Sequence, residues 1–485
     1  MNWSQRLKLL SGPLAFIICL FCAPHAAEPL TIRTLGVAAW LILWWILEAA
    51  PIGATSLLPL ILLPAIGNGT LKNTAANYGD PVIFLFMGGF IIAIAMEKWD
   101  LHRRIALNIL KVTGTNANGI VLGFMIATAF ISMWISNTAT TVMMLPIGLS
   151  VIKLVEGTLG AEATSQKGFR NFSCSIMIGI AYAASIGGIG TIIGTPPNMV
   201  MTGFMKNLQG FDMPFIDWMY VGVPIVILMV GACYFLTTRW LLKNNLGSLG
   251  NTQELIDTEM QKLGKTSYEQ IIIGLLFAFT VLLWVGRQFI NKQLGAEVLH
   301  DTTIALITGL LLFVIPSKNK EKQGALIDWD DVQKMPWKIL LLFGGGFALA
   351  GAVETVGIIN TVGHWVASIQ GIDAYLLVTL LAAAGVLLSE IMGNVALATI
   401  YIPVAMGIGS SLGLSPILFA IPIAISTSFG FMLPIATPPN AIAYGSGYIH
   451  SKEMLKVGSL LNIFGIILLY FITRWWLPLV FSYLA

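Results

Sequence analysis

Charged residues are scarce in this chain of 485 residues: Lys, Arg, Asp and Glu make up 10% of it, whereas a soluble globular protein carries roughly 25%. Hydrophobic residues make up 56%, and the mean hydropathy is +0.84. So few charges cannot cover a globule with a water-soluble surface. The net charge of +3 is spread over loops and forms no patch for nucleic acid. The composition therefore excludes a soluble protein and disfavours a nucleic-acid partner.

Residues that bind transition metals or form disulfides are also few. The four cysteines lie inside apolar runs without the spacing of metal ligands, which indicates small buried side chains. The five histidines lie at or near the ends of apolar runs. Segment 409–413 matches the G-x-S-x-G pattern of hydrolases but lacks the strand–turn–helix context that exposes such a nucleophile. The sequence therefore predicts that the protein is not an enzyme.

Apolar runs, by contrast, are abundant, and many reach the length of about 17 to 25 residues that crosses a hydrocarbon core of about 30 Å as a helix. The runs are continuous rather than alternating, which argues against strands. We predict an all-α polytopic protein of the cell (inner) membrane with about 11 transmembrane helices. The predicted spans are 13–27, 35–50, 54–66, 82–96, a broken span from 173, 221–236, 271–285, 303–315, 339–352, 417–435 and 460–480.

The amino terminus combines features of a membrane span and of a secretory signal. Arg6 and Lys8 precede the apolar run 14–22, and the small residues at 23–27 resemble a cleavage site. We interpret the segment as an uncleaved first span, because many further spans follow it. Cleavage near Ala27 is the alternative.

Two polar segments interrupt the apolar sequence and resemble each other. The first, 132–146, contains Asn137, and the second, 389–403, contains Asn394 at a distance of 257 residues. Further pairs are 84–90 with 341–347 and Glu97 with Glu354 at the same distance, and 194–198 with 436–440 at a distance of 242. A polar insertion at 156–170 accounts for the shorter distance, so the chain contains two copies of one unit.

Each copy contains a re-entrant hairpin and a broken span. In 117–154 and in 373–413, two half-length helices meet at a polar tip. Non-helical backbone at membrane depth needs protein or a cavity to satisfy it. The Thr-Pro-Pro sequences at 195–197 and 437–439 break one span in each copy. These features predict an inverted-topology repeat with broken helices, the architecture of secondary transporters.

An odd number of spans between the hairpins places them on opposite faces of the membrane. With the amino terminus inside, only six of the 26 Lys and Arg residues lie outside, as the positive-inside rule requires, and the carboxyl terminus is external. Residues 117–154 then form a cytoplasmic-side hairpin and 373–413 an external-side one. The predicted domains are an amino-terminal span (1–31), repeat 1 (32–242), a cytoplasmic linker (243–266) and repeat 2 (267–485).

The tips and breaks carry Ser, Thr, Asn, Gly and Pro but no Lys or Arg. Carbonyl, amide and hydroxyl oxygens suit a hard cation such as Na⁺, whereas helix amino termini suit an anion. An organic anion in a low-dielectric pocket needs a counter-charge, which bound cations can supply. The sequence therefore indicates cation-coupled transport of an anion.

In their order, these motifs resemble the divalent anion:sodium symporter family, which includes the INDY-type dicarboxylate transporters. The likeness covers nearly the whole chain and is carried by FLFMGGF (84–90), ISMWISNTAT (131–140), ASIGGIGTIIGTPPN (184–198), LLFGGGF (341–347) and ATPPNAIAYGSG (436–447). It implies a sodium-coupled secondary active symporter of small divalent anions, with C4-dicarboxylates such as succinate as the expected substrates. It also implies a homodimer in which the domain that carries the hairpins moves like an elevator.

The resemblance further implies which residues bind the co-transported sodium ions and the substrate. One sodium site would be formed by Ser132, Ser136, Asn137 and Gly194, and the other by Ser389, Met392, Asn394 and Ala436. The substrate carboxylates would be bound by Asn137, Thr138, Thr195, Pro196, Asn394, Val395, Thr437 and Pro438.

The second tip departs from the family pattern. Gly393 and Val395 stand where the family commonly has Ser and Thr, and Met392 stands where a small residue is usual. Because the substrate site loses hydroxyl groups, sulfate or a shorter, less polar anion is an alternative substrate. An anion exchanger without cation sites is the alternative mechanism. The hairpins disfavour a channel, no histidine reaches the tips to serve a hydrolase, and Glu390 is a candidate for a supporting or proton-sensitive role.

Overall fold

The computed structural model describes residues 3–22, 28–114, 116–159, 167–247, 249, 252–319, 324–367, 371 and 373–482. Within these ranges the regular structure is helical, with no strand apart from an isolated bridge between Pro316 and Ala325. In the same ranges, ten helices are long and apolar enough to cross a membrane. The predicted all-α polytopic membrane fold is thus confirmed. The alternative cleavage site near Ala27 lies outside the described residues.

The first half of the chain contains twelve described α-helices. They are α1 (Trp3–Cys22), α2 (Pro29–Leu47), α3 (Ile52–Thr55), α4 (Leu58–Ala65), α5 (Leu71–Ala76), α6 (Pro81–Lys98), α7 (Leu101–Val112), α8 (Ala117–Ser132), α9 (Asn137–Leu159), α10 (Lys167–Gly188), α11 (Pro196–Gln209) and α12 (Phe215–Phe235), which continues as a π-helix over Leu236–Trp240.

The second half repeats this order after a linker helix. Its helices are α13 (Thr252–Lys262) in the linker, α14 (Tyr268–Leu294), α15 (Asp301–Val314), α16 (Trp337–Thr355), α17 (Ile358–Ala367), α18 (Ala374–Ser389), α19 (Asn394–Ser411), α20 (Ile417–Ser426), α21 (Pro438–Tyr444), α22 (Ser451–Phe471) with a π-helix over Ile472–Trp476, and α23 (Leu477–Val480).

Capping side chains mark where several of these helices begin. The two hairpins start alike: the side chains of Asn116 and Asp373 each accept a backbone N–H of the first helical turn at 3.0 Å. Ser267 and Gln270 form a capping box at the start of α14. Similar capping at both hairpins fits their origin as copies of one unit.

Several helices are longer than the apolar runs that predict them. α1 begins at Trp3, α10 begins at Lys167, and α14 extends to Leu294. Polar residues continue these helices past the apolar runs, because Lys, Arg, Gln and Glu are good helix formers wherever their side chains reach solvent. The apolar runs therefore underestimate the length of these helices. Two predicted spans were wrong in the other direction: 54–66 is divided between the short helices α3 and α4, and the helix in 417–435 ends at Ser426, because prolines and the following break interrupt the backbone.

The linker helix α13 is anchored to the first half. Glu259 pairs with Arg103 of α7 at 2.6 Å, and Asp257 pairs with Lys111 of the same helix at 2.8 Å. Lys262 and Arg103 hold the pKa of the Glu259 carboxyl below its ordinary value. Ion pairs thus hold part of the predicted linker against α7.

The two repeats interlock through their broken helices. α11, in the first repeat, packs against α19 and α20 of the second, whereas α21 of the second repeat packs against α9 and α10 of the first. The π-helical ends of α12 and α22 occur at equivalent places in the two repeats. These crosswise contacts confirm the two-repeat architecture with broken helices. They also join the hairpins and broken helices into one central unit.

An ion-pair cluster connects this central unit to α14 and α15. Arg287 of α14 lies 3.2 Å from Asp301 of α15 and 3.3 Å from Asp212, which lies 3.4 Å from Lys206 of α11. The side chains of Arg287 and Asp301 are only 10% and 7% exposed. The cluster borders a cavity of about 320 Å³. Arg287 is therefore the cation that balances a buried carboxylate.

We expect Arg287→Gln to lower the thermal stability of the purified protein strongly. Removing one partner of a buried ion pair leaves an uncompensated charge, which costs about 3–5 kcal/mol. Arg474→Gln is the matched control, because Arg474 and Asp373 lie 4.0 Å apart with side chains 38% and 56% exposed. The measurement is the midpoint of thermal aggregation in detergent, and equal midpoints for the two variants would contradict the expectation. Adding Asp301→Asn to Arg287→Gln should restore part of the loss.

Candidate functional site

The first polar tip places three oxygen atoms close together. α8 ends at Ser132 and α9 begins at Asn137. Ser132 Oγ lies 2.8 Å from Asn137 Oδ1 and 2.7 Å from the carbonyl oxygen of Ala184 on α10. A hydroxyl group donates one hydrogen bond at a time, so the Ser132 proton can satisfy only one of these two oxygen atoms. Such a cluster attracts a cation.

The first break lies directly against this tip. A Cβ added to Gly188 would lie 2.5 Å from Asn137 Oδ1 and 3.1 Å from the carbonyl oxygen of Gly194. A Cβ added to Gly194 would lie 2.4 Å from the carbonyl oxygen of Gly188. A side chain at either position would clash with these oxygen atoms, so only glycine allows the close approach. The structure thus brings together Ser132, Asn137 and Gly194, and their binding of sodium stays a prediction.

The other residues predicted around the first tip lie at its edge. Ser136 is exposed, and its Oγ accepts the N–H of Ala139 at 3.2 Å. Thr138 is also exposed, whereas Thr195 is buried and Pro196 is half-buried at the start of α11. In this conformation the Ser136 hydroxyl is occupied with its own helix.

The second tip and break have the same order of elements but make different contacts. α18 ends at Ser389 and α19 begins at Asn394, whose Oδ1 is buried without a hydrogen-bond partner. A Cβ added to Gly430 would lie 3.2 Å from the carbonyl oxygen of Ser389, 3.2 Å from Ala436 Cβ and 3.3 Å from Thr437 Cγ2. Ser389, Ala436 and Thr437 therefore meet around Gly430.

The remaining predicted residues of the second half frame this group. Met392 and Val395 are half-buried, and Pro438 is exposed at the first turn of α21. A Cβ added to Gly393 would have no heavy atom within 4 Å, so the tip is open where the first half carries a serine. The second tip is thus less polar than the first.

Two asparagines that the sequence analysis did not single out hold the breaks in shape. Asn198 Nδ2 donates to the carbonyl oxygens of Gly188 (3.1 Å) and Thr191 (2.8 Å). Asn440 Nδ2 donates in the same way to Gly430 (2.9 Å) and Leu433 (3.0 Å). Both asparagines are fully buried. Their occurrence in both Thr-Pro-Pro-Asn motifs is the sequence signal that could have identified them.

Oxygen atoms without a donor are common around the tips and breaks. Among the described residues, buried side-chain oxygens that lack a hydrogen-bond partner include those of Thr140, Ser185, Asn198, Asn394, Ser428 and Asn440. Buried acceptors of this kind require a donor, a water molecule or a cation. Unwound carbonyls and polar side chains at broken helices suit Na⁺, and the amino termini of α9, α11, α19 and α21 suit an anion. The site therefore offers groups that suit both kinds of ion.

Paired hairpins and two broken helices, interlocked at their centre, define a secondary transporter. Residues 2–482 match the family described as Sodium:sulfate symporter transmembrane region, and the chain belongs to this family. The match confirms the resemblance to the divalent anion:sodium symporters and identifies the protein as a multi-pass membrane transporter, not an enzyme.

Relatives with assigned names cover nearly the same length. The chain is 38% identical over 478 residues to the sodium-dependent dicarboxylate transporter SdcS of Staphylococcus aureus (strain USA300). The aligned region covers 98% of this chain and 92% of the relative. It is 39% identical to the SdcS protein of strain MSSA476 with the same coverage. The YdaH transporter of Alcanivorax borkumensis matches 97% of this chain and 98% of its own at a TM-score of 0.58 and 13% identity, which is a likeness of fold alone.

Proposed function

We propose that the protein is a sodium-coupled secondary active symporter of small divalent anions, with C4-dicarboxylates such as succinate as substrates. The observation that carries this proposal is the cluster of Ser132 Oγ, Asn137 Oδ1 and the Ala184 carbonyl oxygen at the first tip. Similarity to proteins named as sodium-dependent dicarboxylate transporters supports the coupling ion and the substrate class.

Two sodium sites follow from the two halves of the site. We assign one to Ser132, Ser136, Asn137 and Gly194, and the other to Ser389, Met392, Asn394 and Ala436. The substrate carboxylates lie between the tips, at the residues Asn137, Thr138, Thr195, Pro196, Asn394, Val395, Thr437 and Pro438.

Bound sodium ions supply the counter-charge that a dianionic substrate needs in the site. The tips and breaks contain no Lys or Arg, so a dianion gains its counter-charge from bound Na⁺ and from helix amino termini. Each net positive charge that crosses a potential of 100 mV contributes about 2.3 kcal/mol. A symporter that carries more sodium charges than the substrate has negative charges therefore accumulates its substrate.

Alternating access in this proposal is of the elevator type. The crosswise contacts of α11 with α19 and of α21 with α9 make the hairpins and broken helices a unit that can move as one body. We place this unit in each subunit of a homodimer. The amino terminus and the linker 243–266 lie on the cytoplasmic side, the carboxyl terminus lies outside, and 32–242 and 267–485 form the two repeats.

One observation favours a second candidate substrate. The open space at Gly393 and the apolar side chain of Val395 remove hydroxyl donors from one half of the site. Sulfate or a shorter, less polar anion needs fewer hydrogen-bond donors from that half than a C4-dicarboxylate does. The description of the family also names sulfate.

Uptake of radiolabelled succinate into proteoliposomes tests the proposal. We expect accumulation under an inward Na⁺ gradient and its collapse when K⁺ replaces Na⁺, because the substrate site lacks a counter-charge without sodium. Unlabelled sulfate, citrate and glutamate as competitors rank the substrates. Uptake that ignores Na⁺ but needs an anion inside the vesicles would instead identify an exchanger.

A further inference from the structure

A buried carboxylate accepts hydrogen bonds from backbone N–H groups of the second break. Glu390 follows the last residue of α18 and is 3% exposed. Its Oε1 accepts the N–H of Met432 at 2.8 Å, and its Oε2 accepts the N–H of Leu433 at 2.9 Å. Asn462 Nδ2 on α22 donates to Oε1 at 2.9 Å. One side chain thus connects the hairpin tip, the break and α22.

The opposite side of the same break is held by Asn440, which binds the carbonyl oxygens of Gly430 and Leu433. Leu433 is therefore fixed at both its N–H and its carbonyl group. Gly430, in this break, lies close to Ala436 and to the carbonyl oxygen of Ser389, the residue that precedes Glu390. Glu390 and Asn440 together determine how the backbone of the break faces the second tip.

The first half has no such carboxylate. The position that corresponds to Glu390 in the repeat is Met133. In the first break, Ile189 and Gly190 donate their N–H groups to carbonyl oxygens three residues earlier, at 3.1 and 2.9 Å. The carboxylate therefore belongs to one half only, the half in which Gly393 and Val395 lack the hydroxyl groups of the first tip.

Among the described residues, no Lys, Arg or His side chain forms an ion pair with this carboxylate. Its three N–H donors are neutral groups, and an ionised carboxylate at membrane depth is costly without a counter-charge. A cation bound at the adjacent tip supplies that charge. The same carboxylate is held rigidly by its hydrogen bonds, so it keeps its orientation toward the break.

We propose that Glu390 is a positioning residue for the second sodium site: it fixes the break 430–436 against the tip and contributes a negative charge that raises the affinity of that site for Na⁺. The inference rests on the proposed sodium-coupled transport. It assigns Glu390 no direct contact with the ion or the substrate.

The test is the Na⁺ dependence of the initial uptake rate in proteoliposomes containing the purified full-length protein. We expect Glu390→Gln to raise the half-saturating Na⁺ concentration about tenfold or more, as loss of an outer-shell partner does for metal sites, while the maximal rate at saturating Na⁺ falls far less. Glu390→Asp should shift it less than Glu390→Gln. Glu354→Gln is the control, because Glu354 is exposed at the end of α16, and it should leave the Na⁺ curve unchanged.

A rescue variant separates this role from a merely structural one. Asn462→Asp combined with Glu390→Gln returns one carboxylate and one amide to the same pocket, and we expect it to recover Na⁺ affinity relative to Glu390→Gln alone. An unchanged half-saturating Na⁺ concentration in Glu390→Gln, with only the maximal rate or the thermal stability reduced, would overturn the proposal. If wild-type uptake itself ignores Na⁺, the proposed function fails rather than this inference alone.

Discussion

Asn137→Ala and Asn394→Ala will each abolish Na⁺-driven uptake, to about 1% of the wild-type rate or less, without preventing membrane insertion. Asn137 Oδ1 belongs to the three-oxygen cluster of the first tip, and Asn394 Oδ1 is a buried acceptor without a partner at the second. Each residue is also the first of a helix whose amino terminus faces the tip. Its loss therefore removes a proposed cation ligand and disturbs the helix end proposed to bind the anion.

The measurement compares uptake per milligram of purified protein in proteoliposomes, with elution from a sizing column as the test of folding. Asn73→Ala is the matched control, because the Asn73 side chain is exposed on the short helix α5. It should retain wild-type uptake. Normal uptake by either tip variant would mean that the paired tips are structural.

Gly188→Ala and Gly430→Ala should have very different effects although the two glycines are equivalent in the repeat. The methyl group of Gly188→Ala would lie 2.5 Å from Asn137 Oδ1, so the amide must leave the oxygen cluster. The methyl group of Gly430→Ala would lie 3.2–3.3 Å from its nearest neighbours, which shifts of a few tenths of an ångström relieve. We expect a loss of uptake of about 100-fold for the first variant and no more than about tenfold for the second.

Gly309→Ala provides the control for a helical glycine that lies away from the site. Its added methyl group would lie 3.5 Å from Ile91, at ordinary contact distance. Initial rates at saturating Na⁺ and the half-saturating Na⁺ concentration should both match the wild type. Equal losses for Gly188→Ala and Gly430→Ala would show that the cluster at the first tip is not the more sensitive half of the site.

The two repeats, the hairpins and the broken spans could be predicted from the sequence because polar residues at membrane depth are costly and therefore conspicuous. Asn137 and Asn394 are conspicuous within apolar runs. Because their surroundings recur at one fixed distance, they show which positions of the two halves correspond. The structure places both residues at the first position of a helix after a hairpin turn, as this pattern predicts.

The parts that could not be predicted depend on contacts between distant segments. Nothing in the sequence near Asn198 indicates that its amide holds Gly188 and Thr191, because the identical residue type could equally face the substrate. The crosswise packing of α11 on α19 is likewise invisible, since two similar repeats could pack each within itself. Helix ends were missed for a different reason: apolar runs stop where side chains become polar, whereas helices stop where capping occurs.

The crosswise exchange of helices between the repeats has a consequence for how the protein is made. During synthesis the first repeat enters the membrane before α19, α20 and α21 exist, so the surfaces of α9, α10 and α11 that will receive them have only lipid or the insertion machinery as neighbours. The polar tip and the break of that repeat therefore lack their later protein neighbours until the second repeat has been inserted. Neither half of the binding centre is complete until the last quarter of the chain has been inserted, and a lesion late in the second repeat will therefore appear as a defect in the first.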